Sequence, residues 1–256
     1  DGATVILDFA QILMDALAAK GVAYDLVDVV DNTRVVLPAV TPGGLVFVDF
    51  TDRDAVLVRS DVEYSGVSEG NYGADFTLGP VMLKRGWIRL DVAHRGVDYH
   101  VLNTHLEVQG LAPVQAGQLL ELRQMLAGVQ APTVLMGDLN SDAAAEPGDP
   151  SWTPTYETLV AAGWVDAWLQ AVGPTRAGLT CCFDPTLTDP NDPLTERIDF
   201  VLLRDRFEPV RGRIPGSIAA EVVGDEAGDR TATGLWPSDH AGVLVGFRAP
   251  RGLLGR

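Results

Sequence analysis

The stretch Thr133-Val134-Leu135-Met136-Gly137-Asp138-Leu139-Asn140 passes from β-branched and aliphatic residues to a carboxylate and an amide within a few positions. The apolar part has the length and composition of a short buried strand. On an extended backbone Asp138 and Asn140, two apart, leave the strand end on the same side, which is how a sheet presents oxygen ligands. Gly-Asp-Leu-Asn also reads as a plain strand-to-turn exit, since all three polar or flexible types form turns. Three further apolar stretches share the character: Val101-Leu102-Asn103-Thr104-His105-Leu106, Glu196-Arg197-Ile198-Asp199-Phe200-Val201-Leu202-Leu203 and Pro237-Ser238-Asp239-His240-Ala241-Gly242-Val243. Four polar termini on four strands point to one site at a common sheet edge.

A chain of 256 residues buries one large core, and a single domain over 1–256 is expected. Nineteen basic residues against 35 acidic ones give a net charge of −16 with no basic run. That field repels polyanions on approach, although a bound divalent cation reverses the potential locally. No apolar run approaches a membrane span and no signal-peptide pattern is present, so a soluble chain, exported or cytoplasmic in a bacterium, is expected, as a monomer. The two cysteines, Cys181 and Cys182, are adjacent; a bridge between them would be strained, and no second pair at ligand spacing favours metal binding.

Along the chain, Leu7 to Lys20 is the clearest helix, with Phe9, Ile12, Leu13, Ala16 and Leu17 as its packing stripe, Asp8 at the N-cap and Gly21 beyond the end. Strands follow over Tyr24 to Val30 and Arg34 to Leu37, a turn at Pro42-Gly43-Gly44, and a strand over Asp54 to Arg59. Asp61 to Pro80 reads as a long irregular loop. Gly86 to His94 and Asp98 to Thr104 form a hairpin across Arg95-Gly96-Val97, and Pro113 to Ala127 is a second helix with Leu119, Leu122, Met125 and Leu126 inward. A short helix runs from Thr153 to Ala162, an irregular stretch from Gly173 to Thr195, and strands near Ile198 to Leu203, Pro209 to Ile214 and Ala241 to Phe247. Strands outnumber helices and do not alternate with them one for one, which favours a two-sheet sandwich with helices outside over a doubly wound parallel fold.

Asp138, Asp199, Asp239, His105, His240 and Asn140 have the composition of a hard-cation hydrolytic site. Oxygen donors suit magnesium or manganese. Asp199, set in an apolar strand, needs a partner, and a histidine supported by it gains a fixed tautomer and greater basicity. Each histidine taken singly also fits a capped, partly buried ring. His94 and His100 read as ordinary strand residues. Trp152, Trp164, Trp168 and Trp236 suit a core or a ligand cleft, and no apolar hairpin for membrane insertion is evident.

In this order and at these separations, Asn103-Thr104-His105-Leu106, Gly137-Asp138-Leu139-Asn140, Arg197-Ile198-Asp199-Phe200 and Ser238-Asp239-His240 resemble the endonuclease/exonuclease/phosphatase superfamily, over about Tyr24 to Phe247. The resemblance implies a deoxyribonuclease I-like α/β four-layer sandwich of two mostly antiparallel sheets flanked by helices. It implies magnesium-dependent hydrolysis of a phosphoester in a nucleic acid, phospholipid headgroup or inositol phosphate. It makes Asp239 and Asp138 metal ligands, His240 with Asp199 a general base or phosphate contact, His105 a stabiliser of phosphoryl oxygens, and Asp138 and Asn140 the residues that orient water or phosphate. The family's upstream strand ending in Asn and its Gln-Glu pair have no counterpart in these residues; Glu63, Glu69 and Glu107 stand in other contexts. The expectation is a domain lacking its first strand and its Glu-bearing second strand, and the alternative is a non-catalytic relative that binds a phosphorylated ligand or partner.

Overall fold

The fold is described over residues 4–79, 81–204, 208–209 and 220–248 of a computed structural model. The chain runs α1 (Phe9–Ala19), β1 (Tyr24–Thr41), β2 (Gly44–Arg59), β3 (Glu63–Asn71), β4 (Phe76–Leu78), β5 (Val81–Leu83), β6 (Gly86–His94), β7 (Val97–Thr104), α2 (Ala112–Met125), β8 (Thr133–Asp138), α3 (Thr155–Ala161), β9 (Val165–Asp166), α4 (Ala167–Val172), β10 (Asp199–Arg204), β11 (Glu208–Pro209), β12 (Ala220–Val223), β13 (Gly242–Val245) and β14 (Phe247–Arg248). A six-stranded sheet in the order β3-β6-β7-β8-β10-β9 is its centre, with β1-β2, β4-β5, β11-β14 and β12-β13 as two-stranded pairs.

Period-two alternation divides the central strands between two apolar layers. Leu102, Leu135, Phe200 and Leu202 face a core closed by Leu119, Leu122 and Leu126 on and beside α2, with Leu159 of α3. Val101, Val134, Val201 and Leu203 face Ala167, Val245 and Phe247. Along β6, Ile88, Leu90 and Val92 meet Val30 and Val56 at the root of the β1-β2 hairpin. The result is an α/β sandwich, α2 and α3 on one face of the main sheet and α4 with further strands on the other, its pairs antiparallel except β7 with β8. Each fully buried leucine or isoleucine in these layers contributes about 1.5–3 kcal/mol.

Several sequence expectations change. The two short strands predicted before the Pro42-Gly43 turn are one strand, β1, paired with β2 through two register shifts. Toward its tip the hairpin exposes Leu37, Val40, Leu45, Phe47 and Phe50, so an apolar hairpin is present after all. The predicted loop over 61–80 contains β3, whose Gly and Ser residues pair with β6 around a bulge between Ser65 and Ser68; tertiary pairing overrides their weak strand propensity. Helix α1 buries none of its residues: Ala10, Met14 and Leu17 turn toward β1 while Phe9, Ile12 and Leu13 are exposed, so the helix is rotated from the predicted stripe. Cys181 and Cys182 are joined as a vicinal disulfide across a cis peptide bond, their Cα atoms 3.1 Å apart. Trp164, Trp168 and Trp236 are core residues. Of the strand expected over Pro209 to Ile214, only residue 209 lies among those described.

The parallel contact of β7 with β8 depends on Gly137. It adopts φ 132°, open to glycine and costly for other residues, and a Cβ there would sit inside the van der Waals radius of the Thr104 carbonyl oxygen. Gly137→Ala should therefore destabilise the chain by about 3 kcal/mol through backbone displacement. Urea unfolding checks this: a loss under about 1 kcal/mol would show that the strand ends separate without cost.

Candidate active site

The ends of β7, β8 and β10 lie side by side. Parallel pairing of Asn103 with Met136 brings the residue after β7, His105, beside the last residue of β8, Asp138; Leu106 N donates to Asp138 O at 2.9 Å. Antiparallel pairing sets Asp199 directly across from Asp138. His240 reaches the same place on the segment before β13, locked by a bridge to Cys181 and by Ala241 N donating to Thr180 O at 2.7 Å.

Side-chain contacts link these residues in series. Asp138 Oδ2 is 3.4 Å from His105 Nε2, and Asp199 Oδ2 is 3.0 Å from His240 Nδ1. One ligand atom each of Asp138, Asp199 and His240 fall within 4.8 Å of one another. Asn140 belongs to the group, but not through a shared strand face: β8 ends at Asp138 and Asn140 is left-handed at φ 46°. Its N–H caps Asp138 Oδ1 at 2.7 Å, an Asx-type turn, while its amide Nδ2 donates to Leu106 O at 2.8 Å and lies 3.2 Å from His105 Nε2. The buried Gln115 of α2 fixes this turn by donating to Asn140 O at 2.8 Å. Asp239 stays outside. Its exposed carboxylate accepts from Ser238 Oγ, and among the described residues it is in neither group of three potential ligands.

The electrostatics are those of a crowded acidic pocket. Burial pushes the Asp138 carboxyl up to about 6; facing Asp199 adds to the shift, and His105, the Asn140 N–H and His240 offset part of it. Hydrogen bonding to Asp199 pushes His240 up to about 9 against the opposing effect of burial, so its imidazole is cationic at neutral pH. Burial lowers His105, but hydrogen bonding to Asp54 and the charge of Asp138 outweigh it and the net direction is upward.

Sequence reasoning missed four neighbours. Asp54 of β2 lies 3.8 Å from His105 Nδ1 and holds the amide of buried Asn32 at 2.8 Å. Arg85, just before β6, places Nη1 3.3 Å from the same Nδ1 and donates Nη2 to buried Glu107 at 3.2 Å. The only signal for either was a charge at the edge of an apolar strand. Among the described residues, Glu107 Oε2 has no hydrogen-bond partner. Cys181, whose Sγ is 3.3 Å from His240 Nε2, lay in a stretch with no periodicity. Behind the site, Arg197 is buried, donating to Asp166 at 2.6 Å and lying over the Tyr156 and Phe200 rings, which fixes the approach to β10.

The chain is a mixed sandwich with two carboxylates, two histidines and an asparagine gathered at its strand ends. Residues 24–240 match the family described as "Endonuclease/Exonuclease/phosphatase family", and the chain belongs to that family. No curated protein matches the sequence. Among solved structures, a family member from Leptotrichia buccalis superposes with TM-score 0.59 at 17% identity, covering 97% of this chain and 83% of that one. A member from Beutenbergia cavernae gives 0.59 at 24% identity, covering 95% of this chain and 58% of that one. D. rerio TDP2, solved with a single-strand DNA product, gives 0.55 at 15% identity over 94% and 91%. These likenesses establish the fold.

Because the folded Asp138 carboxyl holds its proton up to about 6 and the unfolded one only to about 4, its contribution to stability is complete below about pH 4 and is lost as pH rises through 6. Asp138→Asn should thus raise Tm at pH 7.5 in EDTA and flatten the dependence of Tm on pH between 4 and 6. An unchanged or lower Tm at pH 7.5 would mean that the histidines already compensate the charge.

Proposed function

We propose that the chain hydrolyses a phosphoester by in-line attack of water, assisted by magnesium or manganese. The observation that carries this is the convergence of Asp138, Asp199 and His240 on one point, with His105 alongside. The donor chemistry fits a hard cation: two part-buried carboxylates face each other, and burial together with Asp199 pushes the pKa of Asp138 up to about 6. Asp138 would hold the cation, and Asp239 at the exposed rim is the second carboxylate proposed for it. When bound, the cation supplies Lewis-acid stabilisation of charge on the phosphoryl group.

The chain's own residues do the remaining work. His105 and His240, both shifted toward their cationic forms, flank the cluster and stabilise phosphoryl oxygens as charge develops. Asp199 holds Nδ1 of His240, fixing the ring's direction. Asp138, whose Oδ1 is capped by the Asn140 N–H, is placed to orient the attacking water or the phosphate.

For substrate, the single-strand DNA product in the D. rerio TDP2 structure supports a nucleic-acid phosphoester, and a net charge of −16 favours a single-stranded end or a small ester over long duplex. Phospholipid headgroups and inositol phosphates complete the panel. The family resemblance places a further glutamate on a strand upstream of α1, so the assay compares this chain with one extended upstream. Hydrolysis of bis-p-nitrophenyl phosphate that needs magnesium or manganese and stops with EDTA is expected from at least the extended chain. His240→Ala, His105→Ala and Asp239→Ala should each lower kcat/KM roughly 100- to 1,000-fold, and Asp199→Asn less than His240→Ala. Near-normal rates in His240→Ala would overturn the site assignment. No turnover of any panel member by either chain would leave a phospho-ligand-binding relative as the reading.

A further inference from the structure

We propose that Cys181, Cys182 and His240, with the cysteines reduced, form a site for a thiophilic divalent cation such as Zn2+, which takes Nε2 of His240, the nitrogen that Asp199 does not hold. Nδ1 of His240 is committed to Asp199 at 3.0 Å, so Nε2 points the other way, and there it meets Cys181 Sγ at 3.3 Å. One ligand atom from each of the three residues lies within 4.8 Å of the others. Two thiolates and an imidazole are a zinc-type donor set, with a fourth position open to water. A carboxylate on the far nitrogen is the arrangement that orients a metal-binding histidine.

The ligands are also held in advance. Cys181 N donates to Glu196 O at 3.0 Å, and Cys181 bridges to His240 while Ala241 N bonds Thr180 O, so the two segments cannot drift apart. Cys181 is buried and Cys182 exposed, which gives a reductant and a cation one side from which to arrive. As a disulfide the sulfurs are poor ligands. A dithiol reductant delivers two electrons and two protons to the bond and is itself oxidised to a disulfide, leaving two thiols; metal binding then displaces the two thiol protons and the proton on Nε2 of the cationic His240. Nothing in phosphoester hydrolysis uses these cysteines. On the proposed function, an occupied site would withdraw His240 from the reaction, so this chemistry would act as an inhibitory metal switch.

The test is anaerobic titration with Co2+ of the whole chain, reduced with a phosphine and freed of it, followed by thiolate-to-cobalt charge-transfer absorption. One equivalent with a charge-transfer band is expected, competed away by Zn2+, absent from the oxidised chain, lost in Cys181→Ser and in the exposed-site variant Cys182→Ser, and at least ten-fold weaker in His240→Ala. No band in the reduced chain, or undiminished affinity in His240→Ala, would overturn the site. The readout is independent of turnover: a band without magnesium-dependent hydrolysis removes only the proposed function, and hydrolysis without a band removes only this inference.

Discussion

Two carboxylates face one another in register at the ends of β8 and β10. Asp138 and Asp199 are direct cross-strand partners, a placement that repels like charges and weakens a sheet. The surrounding structure is organised to tolerate it. His240 neutralises Asp199 from the β13 side, and His105 stands against Asp138 from the β7 side. That second contact requires β7 and β8 to run parallel, and a parallel neighbour needs a crossover. Helix α2 is that crossover. It carries Leu119 and Leu122 into the core and Gln115 into the turn that ends β8, so one topological need supplies both packing and positioning.

The strand ends were legible because the signal is local. An apolar run that stops at a polar residue marks both a buried strand and the place where it meets solvent, and His105, Asp138, Asp199 and His240 were all found that way. What failed to show depended on partners far along the chain. Asp54 and Arg85 reach His105 through the pairing of other strands, and neither residue type nor spacing declares it. Asn140 joins the site by a left-handed turn, although an extended-strand argument placed it on the correct side for a different reason. Helix α1 shows the limit of periodicity: two stripes, Phe9-Ile12-Leu13 and Ala10-Met14-Leu17, both repeat at helical spacing, and only the packed β1 decides between them.

The basic residues are few, and two of them are placed where buried acids demand them. Arg197 is buried against Asp166 and Tyr156, its guanidinium lying over rings that accept a cation on their faces. Arg85 serves Asp52, Glu107 and the His105 ring at once. Glu107 makes this arrangement sharp, since it is 2% exposed and one of its oxygens has no hydrogen-bond partner among the described residues. Removing Arg85 would leave that carboxylate both buried and uncompensated, a larger cost than the ion pair's own worth. Within a chain of net charge −16, Arg85, His105 and His240 thus stand directly against the acids of the site.

A pocket built this way stores unfavourable electrostatics that the sheet must offset by packing. The layers around Leu102, Leu135, Leu202 and α2 supply that offset, and they lie directly beneath the strand ends. The two nitrogens of His240 then divide the pocket's chemistry. Nδ1 is bound to the acidic side through Asp199, and Nε2 looks toward sulfur. A soft cation between the cysteines would take the nitrogen that the proposed hydrolysis needs, so the two uses of the ring exclude one another.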